Sequence, residues 1–267
     1  MRIIRFTPPA SLGIGTDPHF GVLNEKDEIL VLRGDPLFSG ILPLELPAGA
    51  PTLTLTEVNL LAPVLPRSKV VCVGKNYADH AAEMNSVVPD EPIIFLKPNT
   101  SVIGPNDTIK WPRQATAVDY EGELAIVVGR ICKDVPAEKW RDVVFGFTIA
   151  NDVTARNLQK KDGQWTRAKG FDTFCPLGPW IDTEFAPEVQ RITTKVNGEV
   201  RQNEPISSMI FSIPAIIEFI TSVMTLLPGD VILTGTPAGI GPAPAQSTIE
   251  ISIDGLGVLR NKVSDHE

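Results

Sequence analysis

The sequence predicts a mixed α+β fold dominated by β-strands, and three observations carry that prediction. Apolar runs are short and often alternate, as in Ile249-Glu250-Ile251-Ser252-Ile253, which is the period of a half-buried strand. Gly, Pro and Asn interrupt the chain at short intervals, the Asn197-Gly198 pair between alternating flanks being a strong hairpin signal. Residues 213–224, apolar at 216, 217, 219, 220, 223 and 224, form the clearest stretch with helical spacing. Strands with one good helix and no repeat argue against a doubly wound sheet.

Taken in order, Phe20-Gly21-Val22-Leu23 and Ile29-Leu30-Val31-Leu32 read as two short strands around a polar turn. Pro36, Pro43, Pro47 and Pro51 then exclude long helices. Residues 62–69, with Pro63 and Pro66, resemble a stiff linker, so residues 1–65 are expected to form a small N-terminal β domain and residues 66–267 the main domain. Val70-Val71-Cys72-Val73 is a short buried strand, residues 79–85 a short helical turn, and residues 92–96 another strand. Pro228-Gly229-Asp230 closes the 213–224 helix and Val231-Ile232-Leu233-Thr234 opens a further strand.

The chain has 267 residues, 43% of them apolar and 21% charged, which describes an ordinary globular protein with a sizeable core. A net charge of −8 argues against a nucleic-acid partner, which requires clustered Lys and Arg. No apolar run approaches the roughly 18 residues of a membrane span, and the start, MRIIRFTPPASLG, lacks a secretory core. Cys72, Cys132 and Cys175 are widely spaced and odd in number, so neither a zinc site nor a disulfide framework is expected, and a reduced cytoplasmic setting is.

Residues 118–129, VDYEGELAIVVG, pose the functional question. Asp119, Glu121 and Glu123 alternate with other residues, and a strand would put all three carboxylates on one face. Burying like charges is costly unless something neutralises them. A hard cation such as Mg²⁺ or Mn²⁺ does so, and Glu121 with Glu123 could bind one ion, although a solvated acidic face is the commoner outcome of such alternation. Asp152 ends the apolar run 147–150 and reads either as a further ligand or as a helix N-cap before residues 155–161.

His80 and Glu83 are three apart and share a face if helical. A carboxylate beside an imidazole fixes its tautomer and raises its basicity, as a base for water needs, though a surface His–Glu pair looks the same. His19 and His266 lie outside any such motif. Lys169, in a segment with Trp165, Phe171 and Pro176 that reads as a structured loop, could hold an anionic substrate, stabilise an enolate, or be an exposed cation. TGTPAGIG at 234–241 is neither a dinucleotide fingerprint nor a Walker loop, but its turn could offer amides and hydroxyls to a carboxylate. There is no GxSxG elbow.

These segments together resemble the fumarylacetoacetate hydrolase (FAH) superfamily. The matching runs are VVCVGKNYADHAAEM, IIFLKPNTSVIGP, DYEGELAIVVG, GFTIANDVTARNLQ, QWTRAKGFDTFCPLGPWI, VNGEVRQ, SSMIFSIPAIIEFIT and LPGDVILTGTPAGIGP, in the family's order. They are most similar to the shorter members: acylpyruvate hydrolases, oxaloacetate decarboxylases, and isomerase/decarboxylases of homoprotocatechuate breakdown. The resemblance implies an FAH-type β-sandwich roll for residues 66–267, a homodimer, and a Mg²⁺ or Mn²⁺ site with Glu121, Glu123 and Asp152 as ligands. It implies His80 and Glu83 as a lid-borne dyad that activates water and Lys169 as the active-site lysine. Arg156, Gln159 and Thr236 match substrate-pocket positions, and Asp119 falls outside the ligand set. Asn157 and Gly170 depart from the family's usual Asp and Ser and are expected to flank the pocket.

The implied reaction is metal-dependent cleavage of a C–C bond in a small anionic 2-oxo acid, by acylpyruvate hydrolysis or oxaloacetate decarboxylation, with the metal and Lys169 holding a pyruvate enolate. Two alternatives stand beside it. One is an isomerase/decarboxylase of unsaturated 2-hydroxy or 2-oxo diacids, of the 2-hydroxyhepta-2,4-diene-1,7-dioate type. The other is a catalytically silent metabolite-binding protein.

Overall fold

A computed structural model describes residues 1–266. Its β-strands far outnumber its helices, in three sheets of eleven, five and three strands. The large sheet runs in the order Ile29–Val31, His19–Leu23, Arg2–Thr7, Cys175–Asp182, Val144–Asn151, Gly122–Val128, Val231–Leu233, Val70–Gly74, Ile93–Lys97. Pairings along this path of nine strands are antiparallel except that of Val231–Leu233 with Val70–Gly74; the other two strands join from the side, Asn59–Leu61 antiparallel to Arg2–Thr7 and Val102–Ile103 parallel to Cys175–Asp182. The N-terminal hairpin thus extends the main sheet, Arg2 and Ile3 lying opposite Asp182 and Ile181. Ala62 and Val64, in the segment read as a linker, are buried beside Ile3 and Val70.

The strand Gly122–Val128 shows why its sequence is so apolar. Leu124, Ile126 and Val128 join one core cluster, while Ala125 and Val127 join another on the opposite face. A strand covered on both faces reads as a continuous apolar run. The first cluster includes Ile192, Ile249, Ile251 and Ile253 of the five-stranded sheet, which therefore packs over the large one as a sandwich. Ile213–Val223, an 11-residue helix with Pro214 in its first turn, buries Ile216, Ile217 and Ile220 in the same cluster. Burying each such side chain contributes about 1.5–3 kcal/mol.

The hairpin forms as its sequence directs: Arg191–Val196 and Glu199–Pro205 pair across Asn197 (φ 51°) and Gly198 (φ 83°), the left-handed pair of a two-residue turn. The acidic segment differs from the single strand expected. Val118–Tyr120 pairs with Thr154–Ala155 and Gly241–Pro242 in the three-stranded sheet, whereas Gly122–Val128 belongs to the large one. Glu121 stands where the chain changes sheets, so Asp119, Glu121 and Glu123 do not share one strand face, although all three are buried. The change of sheet is pinned by Glu121 N–H donating to Asn151 Oδ1 (2.9 Å) and Asp152 N–H donating to Glu121 O (2.9 Å). The segment expected as a loop around Lys169 contains a one-turn helix, Thr166–Lys169. Among the described residues no helix is long and apolar enough to cross a membrane.

Candidate metal and active site

Register brings the carboxylates together. Gly122 lies opposite Asn151 across the two central strands, which puts Asp152, the next residue along, beside Glu121 and Glu123. One carboxylate oxygen from each of these three residues lies within 4.8 Å of the others, and all three side chains are buried. A compact, all-carboxylate donor set fits a hard divalent cation such as Mg²⁺ or Mn²⁺, which favours oxygen ligands. Asp152 is not a helix N-cap: the following helix, Arg156–Asp162, begins four residues later with Ala155 before it.

Cations surround two of the three acids. Lys169 Nζ donates to Glu121 Oε2 (2.8 Å) and Asp152 Oδ2 (2.5 Å). Arg156 donates through Nη2 to Glu121 Oε1 (2.5 Å) and through Nε to Asp119 Oδ2 (2.8 Å). Thr154 Oγ1 also donates to Glu121 Oε1 (3.1 Å). Among the described residues Glu123 receives only a backbone hydrogen bond, from Gly235 N–H at 2.6 Å.

The titration of the acids follows from that asymmetry. Burial alone would raise the Glu121 carboxyl, but Lys169 and Arg156 override it and hold Glu121 well below the usual carboxylate range. Burial, reinforced by the charges of Asp152 and Glu121, pushes Glu123 well above it. Burial works against the Lys169 ammonium too, yet Asp152 and Glu121 keep its pKa above the ordinary lysine value. The two carboxylates thus favour the charged form of Lys169.

The carboxylates form the floor of a cavity of about 320 Å³, within the size range of small-ligand sites. Its walls include His80, Arg156, Gln159, Lys169 and Thr236. His80 and Glu83 lie on the short helix Ala78–Glu83, with Nδ1 of the imidazole 3.4 Å from Glu83 Oε2. Glu83 also accepts from Gly239 N–H at 3.2 and 3.3 Å. Gly239 has φ +94°, and a Cβ there would stand 2.1 Å from the Arg201 carbonyl oxygen, so only glycine lets the loop approach so closely. One loop, residues 234–241, thus supports Glu123 through Gly235 and Glu83 through Gly239.

Of the sequence-expected site residues all but Glu83 line this cavity, Glu83 reaching it only through His80, and two of the lining residues do work beyond the pocket wall. Arg156 spends its donors on Asp119, Glu121 and Gln159 Oε1 (2.6 Å). Thr236 Oγ1 donates to Gly122 O (2.9 Å) and accepts from Gln202 Nε2 (2.8 Å). Asn157 does not line the cavity; its side chain accepts from Thr116 N–H and Ala117 N–H. Gly170 does not line it either, and a Cβ there would lie 2.5 Å from Thr166 O.

The sequence reading missed Lys97 and Gln202. Lys97 is buried and donates to Asp152 Oδ1 (2.6 Å) and Val153 O (3.2 Å). A lysine ending the apolar run IIFLK is itself a signal, because a strand that buries a cation needs an acid to meet it. Gln202 accepts from Gly122 N–H (3.1 Å) and donates to Thr236 Oγ1 and Pro237 O, clamping the residue between the two glutamates. Nothing in its neighbouring sequence announces that role.

Known proteins share this architecture. Residues 69–264 match the family described as fumarylacetoacetate (FAA) hydrolase C-terminal, and residues 1–63 match Rv2993c-like, N-terminal. Protein Rv2993c of Mycobacterium tuberculosis is 58% identical over 227 residues, 82% of this chain and 85% of that one. Oxaloacetate tautomerase YisK of Bacillus subtilis is 43% identical over 224 residues, 79% of this chain and 74% of its own. Among solved structures, 5-carboxymethyl-2-hydroxymuconate delta-isomerase from Mycobacterium smegmatis superposes with a TM-score of 0.86 at 46% identity, over 99% of both chains. Fumarylpyruvate hydrolase from Pseudomonas aeruginosa, in complex with Mn²⁺ and pyruvate, gives 0.71 at 32% identity, over 76% of this chain and 91% of that one. With the sandwich, the acidic cluster and these matches together, the chain belongs to the fumarylacetoacetate hydrolase family.

Proposed function

We propose that the protein is a divalent-metal-dependent enzyme that interconverts a 2-oxo acid and its enolate, and that cleavage of oxaloacetate or an acylpyruvate proceeds from that enolate. The observation that carries this reading is the convergence of Glu121, Glu123 and Asp152 on one point of the cavity floor, with the Lys169 ammonium against two of them. Glu121, Glu123 and Asp152 would hold Mg²⁺ or Mn²⁺, which when bound supplies Lewis-acid polarisation of the substrate carbonyl. The names of relatives support it: oxaloacetate tautomerase for YisK, and a hydrolase holding Mn²⁺ and pyruvate among the structural neighbours.

The chain's own residues supply the rest. Lys169, a buried cation, stabilises negative charge that develops on the substrate oxygen. His80, oriented by Glu83, moves protons. In tautomerisation a proton leaves C3 and one is delivered to the carbonyl oxygen as the double bond moves from C2–O to C2–C3, and no C–C bond breaks. In oxaloacetate decarboxylation the C3–C4 electron pair becomes that of the enolate as CO₂ leaves. In acylpyruvate hydrolysis His80 takes a proton from the water that adds to the distal carbonyl; C3–C4 then breaks and the enolate is protonated at C3. Arg156, Gln159 and Thr236 shape the wall on which the substrate rests, Arg156 by holding Glu121 and Asp119 in place.

The test is to incubate Mg²⁺-loaded protein in D₂O with oxaloacetate and with acetylpyruvate, following both deuterium entry at C3 and pyruvate release. Deuterium entry without pyruvate identifies a tautomerase, and pyruvate release a cleaving enzyme. Neither process from folded, metal-loaded protein would contradict the reading. The resemblance to the Mycobacterium smegmatis isomerase favours isomerisation of an unsaturated 2-oxo diacid as the second reading.

A further inference from the structure

Tyr120 immediately precedes Glu121 of the acidic cluster, yet it does not line the cavity. Its side chain is buried in the main core cluster, and across the three-stranded sheet it lies opposite Gly241. Its hydroxyl donates to Gly239 O at 2.9 Å. A buried phenol needs a partner for its hydroxyl, whereas phenylalanine would fill the same space without one. The bond to Gly239 is therefore what sets this tyrosine apart from an ordinary core aromatic.

Gly239 passes that constraint on. While its carbonyl accepts from Tyr120, its N–H donates to Glu83 Oε1 (3.2 Å) and Oε2 (3.3 Å). The left-handed φ of +94° fixes how the two groups are turned relative to each other, and the Arg201 backbone packed against Gly239 leaves the loop little room to turn otherwise. Among the described residues the carboxylate of Glu83 has no other hydrogen-bond partner than this amide and His80 Nδ1. Glu83 ends a six-residue helix, and its side chain is partly exposed. A glutamate so placed gains rotamer freedom by swinging into water unless something holds it.

We propose that Tyr120 is a positioning residue for the His80–Glu83 pair: its hydroxyl sets the Gly239 backbone, whose amide holds Glu83 against the imidazole. Glu83 held in this way keeps a proton on Nδ1 and leaves Nε2 as the basic nitrogen. The segment that carries Glu121 thus also steadies the group that moves protons, through one tyrosine and one glycine. Its place in the reaction rests on the reading of His80 as the base for water. A Tyr120 that served only the core would instead lower stability and affect every activity alike.

Tyr120→Phe keeps the ring and removes only the hydroxyl. In the Mg²⁺-loaded full chain it should lower kcat for acetylpyruvate hydrolysis about three- to tenfold, the worth of one hydrogen bond, with KM and oxaloacetate decarboxylation changed less than about twofold. In a Glu83→Gln background Tyr120→Phe should cause no further loss, because the two act through one contact. Imidazole nitrogen NMR on histidine-labelled protein needs no turnover, and the chain has only three histidines to assign. At alkaline pH, His80 is expected to show the Nδ1–H tautomer in wild type and to lose part of it in Tyr120→Phe, while His19 and His266 stay unchanged. Equal losses in both reactions, a full further loss in the Glu83→Gln background, or His80 nitrogens unmoved by Tyr120→Phe would overturn the positioning role. A wild type that hydrolyses no acetylpyruvate but shows the His80 change would overturn the hydrolytic reading and leave the positioning role standing.

Discussion

Lys97 donates to Asp152 Oδ1 at 2.6 Å, and both side chains are buried. The carboxylate's other oxygen takes Lys169 at 2.5 Å, so Asp152 is held from both sides by cations on different elements, the strand Ile93–Lys97 and the short helix Thr166–Lys169. Replacing Lys97 by Met fills its volume but removes half of Asp152's compensation. Breaking a buried pair in this way costs about 3–5 kcal/mol. Urea unfolding of metal-free Lys97→Met should therefore show a midpoint well below wild type, and an unchanged midpoint would refute the pairing.

Glu123 makes ion binding depend on pH. Its carboxyl is held above the ordinary value of 4.5 by burial and by the charges of Asp152 and Glu121. A divalent ion must displace that proton. Mn²⁺ affinity is expected to rise about tenfold per pH unit while Glu123 is protonated, then level off. Metal-free stability runs the other way: the folded state binds the extra proton, so this contribution is lost as pH rises from 4.5 through the folded pKa. Calorimetric titration at several pH values checks the slope, which Glu123→Gln should flatten.

Asp230 shows the opposite sign away from the site. It accepts from Ser68 Oγ (2.6 Å), Lys69 Nζ (2.7 Å) and Leu227 N–H (2.9 Å), binding the start of one central strand to the turn before the next. Burial would raise its carboxyl, but Lys69, Ser68 and the Leu227 amide bring it below the ordinary 3.8. Its stabilisation is thus present above pH 3.8 and lost as pH falls through the folded value. Asp230→Ala should cost about 2–3 kcal/mol at neutral pH, from charged hydrogen bonds lost in a buried setting, and little in acid. Equal losses at both pH values would show that packing alone is responsible.

His80 on the cavity wall stands 3.4 Å from Glu83 behind it, and the proposed chemistry gives the imidazole protons to move. His80→Ala should slow acylpyruvate hydrolysis about 10²-fold or more, the range for a lost general base, and oxaloacetate decarboxylation much less. Steady-state rates on both substrates separate these outcomes. Equal losses would assign the pair a purely structural role.

Much of this architecture was legible in the sequence because strand period, the Asn197-Gly198 turn and the single amphipathic helix are local signals. Most of the residues around the cavity were legible too, because each lies in a short run whose composition stands out, such as the alternating acids of 119–123 or the His80–Glu83 pair. What escaped was non-local. The change of sheet at Glu121 depends on Asn151 and Asp152, thirty residues away, and alternation within 118–124 cannot report it. Lys97 and Gln202 act through partners 55 and 80 residues distant, and Arg156, expected to face substrate, is committed to Asp119 and Glu121. Buried charge announces a need for a partner, but only the fold names it.

The central claim is that Glu121, Glu123 and Asp152 hold the ion on which turnover depends. It is tested most directly by following oxaloacetate enol–keto interconversion and pyruvate formation with metal-stripped protein, before and after reloading with Mg²⁺ or Mn²⁺, beside Glu123→Ala. Activity is expected to vanish on stripping and return on reloading, with Glu123→Ala folded and inactive throughout. Turnover that survives stripping, or persists in Glu123→Ala, would contradict the account.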